Sequence, residues 1–281
     1  MIRWSEIYST DTLLLSQKAE EWKVHNLALE DCYHRDQRPK LDDFGNHQLL
    51  VWFLLANGKI YEIQFLIFPN HLIAVPHDTP PTGQTWSGYL KISNNHKDVW
   101  HLLYNVLDRA TDLTWQEMRI LFEQIDNFEQ EIFKKNFKPQ DLLLVKKQLN
   151  QIDYSIGHLS SVAKQLQNLC KPTDDLNWKL RDLHDHCERI YQSLNLYRSQ
   201  IGASIELFWG LQTNRTNKQI MKLSTVASVA VPLTFWSSFW GMNFDFIPYS
   251  EPVLFFVAIG LMLFSVVGTG WLLIKKGYLS E

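Results

Sequence analysis

Uncharged oxygen atoms strung along one side of an apolar segment are the first feature of this sequence with chemical meaning. No residue from Leu223 to Trp240 carries a charge. Stepping by three and four from Ile220 nevertheless meets Ser224, Ala227, Val231, Thr234 and Ser238, a stripe that is small and partly hydroxylated. Gly241 and Asn243 follow at its end and add a backbone and an amide oxygen. A divalent cation stripped of water would meet no carboxylate along this stripe, and magnesium gives up its water reluctantly. The lining therefore suits a hydrated ion, whose waters donate to neutral oxygens and are sorted by size at a ring of Asn243 and Gly241. Small residues also let membrane helices approach closely, so the same stripe reads as a plain packing face.

Other constellations are sparser. Asp182 and Asp185 stand at i, i+3 and share a helix face, where composition alone makes them a solvated pair. His184 and His186, at i, i+2, do not share a face, which argues against a zinc pair. The ten histidines are scattered and read as ordinary. The three cysteines, Cys32, Cys170 and Cys187, are not spaced as a zinc clip and read as buried or neutral thiols. There is no glycine-rich phosphate loop and no nucleophile elbow, so nothing supports an enzyme. A net charge of −3 without a basic, aromatic-interleaved cluster gives no hint of nucleic acid.

Two apolar runs, 223–241 and 252–274, must position the stripe, and each approaches or exceeds the ~18 residues that cross a bilayer core. Pro232 removes one backbone bond mid-span, and nearby hydroxyls could compensate. Arg215, Lys218 and Lys222 precede the first run, Lys275 and Lys276 follow the second, and the connecting loop 242–251 has only Asp245 and Glu251 as charges. Positive charge is retained inside, so both termini are expected in the cytoplasm and the loop outside, in the plasma or inner membrane. No early apolar run follows Met1, so no secretory signal is expected. Two helices cannot enclose a path, so conduction requires an oligomer.

The preceding chain reads as a cytoplasmic α/β domain over 1–96 and a helical, coiled-coil stalk over 97–222. Asp11 caps a helix running to about Lys23. Gln48–Leu55 and Ile60–Phe68 are apolar runs around Asn57-Gly58, a strong hairpin signal, and His71–Val75 gives a third strand. Leu142 through Cys170 alternate by three and four as one coiled-coil seam. A last helix begins near Asp174 and, if unbroken to Trp240, measures roughly 100 Å.

Gly241-Met242-Asn243-Phe244, preceded by Pro232-Leu233-Thr234-Phe235 and followed by an acidic loop and a second span ending in lysines, resembles the CorA family of magnesium channels. Asn214-Arg215-Thr216-Asn217, Leu29-Glu30-Asp31-Cys32 and Gln37-Arg38-Pro39-Lys40-Leu41 carry the similarity upstream, across most of the chain. The resemblance implies a pentamer with the first span lining the pore and the second outside it. It implies Gly241, Met242 and Asn243 as the selectivity filter and Asn217 at the pore. Matched without gaps from Asn217, it places Ile220, Leu223 and Val231 at apolar constrictions and Glu206 in an acidic ring at the inner mouth. The same match puts Asp182 and Asp185 where the family binds regulatory magnesium between subunits. One departure is Tyr249 after Pro248, where the family carries an acidic residue; Asp245 keeps the other acidic position. Zinc transporters of the ZntB type often alter the Met of the motif, so Met242 favours magnesium.

The expectation is thus an α+β cytoplasmic domain with long stalk helices and a two-helix transmembrane hairpin. Its function would be passive transport of hydrated Mg²⁺, gated by cytosolic Mg²⁺. The alternatives are a Co²⁺, Ni²⁺ or Zn²⁺ transporter of the same architecture, or a membrane-anchored scaffold or sensor that does not conduct.

Overall fold

The computed structural model describes residues 2–35, 37–93, 96–132, 138–169, 174–242 and 252–275. These fall into two compact units, 1–205 and 206–281.

The first unit is built on a five-stranded sheet in the order β1-β5-β4-β3-β2. Its strands are β1 (Arg3–Glu6), β2 (Lys40–Asp43), β3 (Gln48–Ala56), β4 (Lys59–Phe68) and β5 (His71–Pro76). All neighbours are antiparallel except β1 with β5. The β3–β4 turn places Asn57 and Gly58 at φ 48° and 68°, the doubly positive pair that a tight hairpin requires. Every residue of β3 after Gln48 is buried, so helices cover both faces, which explains a continuous apolar run instead of alternation. Helices α1 (Thr12–Trp22) and α2 (Asn26–Tyr33) pack Leu15, Ala28 and Cys32 onto Leu49, Leu66 and Ile73. Asp11 caps α1, its carboxylate accepting from the Leu14 amide at 3.3 Å.

Two strands and two helices, α2 among them, exceed the sequence expectation. β1 and β2 lie at the sheet edges, and their charged sequences, Arg-Trp-Ser-Glu and Lys-Leu-Asp-Asp, carry no apolar alternation. Charged edges discourage pairing with other chains, and the same charges hide the strand from pattern reading. The proline- and glycine-bearing stretch 76–88 reads as a loop in sequence, but Pro76 ends β5 and Trp86–Tyr89 forms the short helix α3. Trp86 is fully buried there, its indole N–H donating to the Asp78 carbonyl at 2.8 Å.

Helix α4 (Val99–Glu131) packs on β3 and β5, α5 (Pro139–Ile156) on β3, and α6 (Leu159–Leu169) on β2. Residues 97–205 therefore share a unit with the sheet. The single seam helix expected from Leu142 to Cys170 is instead two, broken at Gly157-His158. A Cβ on Gly157 would stand 2.5 Å from the Asp153 carbonyl oxygen, so this corner fits glycine alone. The seam positions Leu142, Val145, Leu149, Ile152, Ile156, Leu159, Ala163 and Leu166 are all buried as the periodicity requires. Cys170 lies outside the described residues; Cys32 and Cys187 are buried, and burial pushes both thiols up to about 12.

Helix α7 (Asp174–Trp240) runs 67 residues without a break, through Pro232. Its positions Leu176, Leu180, Leu183, Cys187, Ile190, Leu194 and Ile201 are buried. From Glu206 to Met242 no residue is buried. Helix α8 (Pro252–Lys275) likewise has no buried residue. Both helices are long and apolar enough to cross a membrane.

Candidate functional site

The predicted lining residues Asn217, Ile220, Leu223, Ser224, Ala227, Val231, Thr234 and Ser238 all lie on α7 and are all exposed, as is Glu206. Half-covered positions of this stretch are Thr225, Val229, Pro232, Trp236 and Trp240, which recur at three and four and mark the other side. The bulky Val229, Trp236 and Trp240 belong to that covered stripe, while Val226 and Leu233 are exposed.

The hydroxyls are oriented by the helix itself. Thr234 donates to the Ala230 carbonyl at 3.0 Å and Ser228 to the Ser224 carbonyl at 2.8 Å. Neither serves the carbonyl of Ser228, the one whose usual donor Pro232 lacks, so the compensation suggested by sequence is not made by these two groups. With its hydrogen engaged by the backbone, the Thr234 oxygen keeps its lone pairs for an outside donor.

At the end of α7 the Gly241 amide donates to Ser237 at 3.0 Å and the Met242 amide to Phe239 at 3.3 Å. Glycines with positive φ are found at positions 45, 58 and 83, and Gly241 is not among them. Space there is tight: a Cβ would stand 3.1 Å from the Ser237 carbonyl oxygen. Asn243, Asp245 and Glu251 lie outside the described residues.

In the first unit, Asp182 and Asp185 are both exposed on α7. Asp185 has His184 at 3.4 Å. Asp182 has His186 at 3.7 Å, and the other ring nitrogen of His186 faces Asp108 of α4 at 3.8 Å. His184 and His186 do not pair with each other, in line with their spacing, but His186 joins two carboxylates that sequence reading did not connect. Burial, and then the charge of Asp112, raise the Asp108 carboxyl above its ordinary value, with His186 opposing them. Burial and the Asp108, Asp182 and Asp112 charges push the nearby Tyr104 phenol up to about 12. The available signal was Asp108 and Asp112 at i, i+4, a like-charge pair that a helix tolerates poorly without compensation.

A family model described as CorA-like Mg²⁺ transporter protein matches residues 1–276. The cobalt/magnesium transport protein CorA of Thermotoga maritima is 23% identical over 86% of this chain and 72% of its own length. The zinc transport protein ZntB of Pectobacterium atrosepticum is 24% identical over 68% of this chain and 59% of that protein. Among solved structures, the CorA magnesium transporter of Methanocaldococcus jannaschii superposes with a TM-score of 0.81 at 17% identity, covering 98% of this chain and 91% of that one. Sheet, long helix and C-terminal apolar helix thus take the CorA fold, consistent with a two-span hairpin. The chain belongs to the CorA-like Mg²⁺ transporter family, a family of divalent-cation transporters rather than enzymes.

Proposed function

We propose that this chain conducts divalent cations passively, hydrated magnesium foremost, through a homo-oligomeric pore in the plasma or inner membrane. The lining is the stretch of α7 from Asn217 to Ser238, with α8 outside it and Gly241, Met242 and Asn243 forming the filter. A pentamer with both termini in the cytoplasm completes the arrangement. Glu206 stands at the inner mouth, and Asp245 and Glu251 at the outer one.

The observation that carries this reading is the uncovered state of Ser224, Ala227, Val231, Thr234 and Ser238 beside the partly covered Val229, Trp236 and Trp240. A small, hydroxylated face left open by its own chain needs something polar to meet, and a file of hydrated ions supplies it. The Thr234 oxygen, its hydrogen held by Ala230, can only accept, and the waters of a cation can only donate. Apolar Ile220 and Leu223, exposed at 56% and 72%, would gate by dewetting. Asp182 and Asp185 supply the oxygens that Mg²⁺ prefers, and a cation that relieves their repulsion would hold the closed state.

The test is ion flux into liposomes containing the purified protein, with Mg²⁺, Co²⁺, Ni²⁺ and Zn²⁺ run in parallel. Magnesium should pass, and Asn243→Ala should abolish its passage while the protein purifies as the same oligomer. Normal Mg²⁺ passage by Asn243→Ala would make Asn243 a structural cap. Passage of Zn²⁺, Co²⁺ or Ni²⁺ without Mg²⁺ would reassign the cargo, and no flux of any ion would leave a scaffold.

A further inference from the structure

We propose that a cleft in the first unit, between the β3–β4 turn, α4 and α5, binds a nucleoside polyphosphate. Two cavities make up the cleft, one of about 620 Å³ and one of about 360 Å³, and Gly58, Ile60 and Gln151 line both. Sites for small organic ligands fall in this range, roughly 300–1,000 Å³. All the lining residues precede Glu206, so the inference does not rest on conduction.

The two ends differ in chemistry. Arg35, Lys59 and Lys147 edge the larger cavity, and Arg38 lies over the Tyr154 ring at its wall, 5.4 Å from the centroid. Asp78 pairs with Arg35 at 3.3 Å and with Lys59 at 3.2 Å. Burial pushes the Asp78 carboxyl up, but Lys59 and Arg35 outweigh burial and hold it below its ordinary value. Lys147 has no ion-pair partner among the described residues. Against four cations the walls set two carboxylates, Asp78 and the buried Glu62. In a chain of net charge −3 this local excess of cations suits phosphate oxygens, which Arg and Lys hold by charge-assisted hydrogen bonds. The two carboxylates can accept from the hydroxyls of a sugar.

The smaller cavity is apolar with amides at its edge. Leu55, Ile120, Leu121 and Ile152 supply apolar wall, and Gln124 and Gln148 each bring both donors and an acceptor. A planar heterocyclic base asks for this combination, because its faces shed water while its edge both donates and accepts. Glu117 positions the wall between the ends, its carboxylate accepting from the Gly58 amide at 3.2 Å.

Helix α5 carries the pattern in its sequence. Its seam residues, Leu142 to Ile156, go to the core. Lys147, Asn150, Gln151 and Tyr154 stand at i, i+3, i+4 and i+7, share another face, and all line the larger cavity. A polar face on a surface helix is ordinarily just solvated. Here it walls a cavity completed by Phe53, Ile60 and Glu62 of the sheet.

The experiment is equilibrium dialysis of the full-length protein in detergent, with ATP as the probe and EDTA present so that no divalent cation mediates binding. One ATP per chain should bind, at least about 10-fold more tightly than adenosine or inorganic tripolyphosphate. Lys147→Glu should weaken ATP binding about 10-fold, the scale of one lost hydrogen bond to a charged group. Lys164→Glu, the same reversal on α6 outside the cleft, should leave it unchanged. Gln151→Trp fills the wall common to both cavities and should lower ATP affinity toward that of tripolyphosphate. If Gln151→Trp does not fold, Ile120→Trp gives the same reading from the apolar end. Tripolyphosphate binding as tightly as ATP would leave the apolar end without a role and overturn the assignment. So would no ATP binding, or equal losses in the Lys147 and Lys164 variants. Mg²⁺ flux in liposomes from a protein that binds no ATP would remove this site and leave the conduction reading standing.

Discussion

Phe65 in β4 and Phe264 in α8 are the same side chain in opposite surroundings: the first is 1% exposed and the second 79%. The contrast extends across the two units. Residues 1–205 bury Trp52, Trp86, Leu50 and Ile73 completely, whereas among the described residues from Glu206 onward none is buried. Fully burying a side chain of this size contributes about 1.5–3 kcal/mol. The first unit collects that contribution within its own chain. The second can collect it only from lipid or from other copies, which is the physical content of a membrane helix. The same comparison explains why the small stripe on α7 is informative. In the first unit an uncovered face is ordinary surface, but among residues this apolar an uncovered small and hydroxylated face suits close packing by another helix or contact with water and ions.

The sharpest way to break this comparison is to cut one aromatic from each unit. Trp86→Ala removes a side chain that donates to Asp78 and meets Tyr61 and Tyr89 edge-on at 5.4 and 5.7 Å. It should cost about 3–5 kcal/mol. Phe264→Ala, in the same detergent, should cost under about 0.5 kcal/mol. Thermal unfolding of the full-length protein compares the two. An equal loss would show that Phe264 packs against protein from another copy rather than against lipid.

A buried polar contact sharpens the comparison on a smaller scale. β2 pairs with β3 only from Gln48 to Val51, so the Leu55 amide has no strand partner on that side. Thr114 of α4 fills the place: its Oγ1 accepts from Leu55 at 3.1 Å and donates to Ala110 at 2.9 Å. Thr114→Val keeps the shape and removes the acceptor, stranding a buried N–H at a cost of about 1–3 kcal/mol. Thr234→Val removes a hydroxyl of the same kind from the exposed face of α7, where no amide among the described residues depends on it. Its stability should not move, measured by denaturant midpoint on both variants.

What was legible in the sequence follows the same division. Asn57-Gly58, Asp11 and the charge-free spans each act through a local rule, and each appears where the rule places it. The β1 and β2 edges were not legible, because their pairing is dictated by neighbours and their charges serve the edge. The break at Gly157 was hidden by a seam that keeps its period through the corner, so the buried positions hold while the helix does not. The meeting of Asp108 with His186 is a tertiary fact: the residues are far apart in the chain and only the packing of α4 on α7 joins them. Along α7 beyond Ile205 the stripe was legible because a single helix presents it, with no tertiary step between spacing and face.

The smallest expected effect lies at the start of α4, and its pH dependence separates it from anything in the spans. Asp98 caps α4, its Oδ1 accepting from the His101 amide and from the His101 ring, both at 2.9 Å. Burial pushes its carboxyl up, but the bonds from His101 and from the Trp100 amide outweigh burial and hold it below its ordinary 3.8. A carboxyl whose value is lowered on folding contributes stability above the unfolded value and loses that contribution as the pH falls through the folded one. Asp98→Ala should therefore cost about 1 kcal/mol at neutral pH, the usual worth of an N-cap. The difference from the parent should shrink as the pH drops below about 4, because the protonated parent has lost the charged acceptor too. Asp98→Asn keeps a neutral capping oxygen, so it should lie between the two at pH 7 and show no such convergence of its own. The apolar run of α7 from Leu223 to Trp240 has no carboxylate, so Thr234→Val should track the parent at every pH. An Asp98→Ala penalty that stays constant from pH 7 to pH 3 would mean that the side chain acts through packing and not as a charged cap.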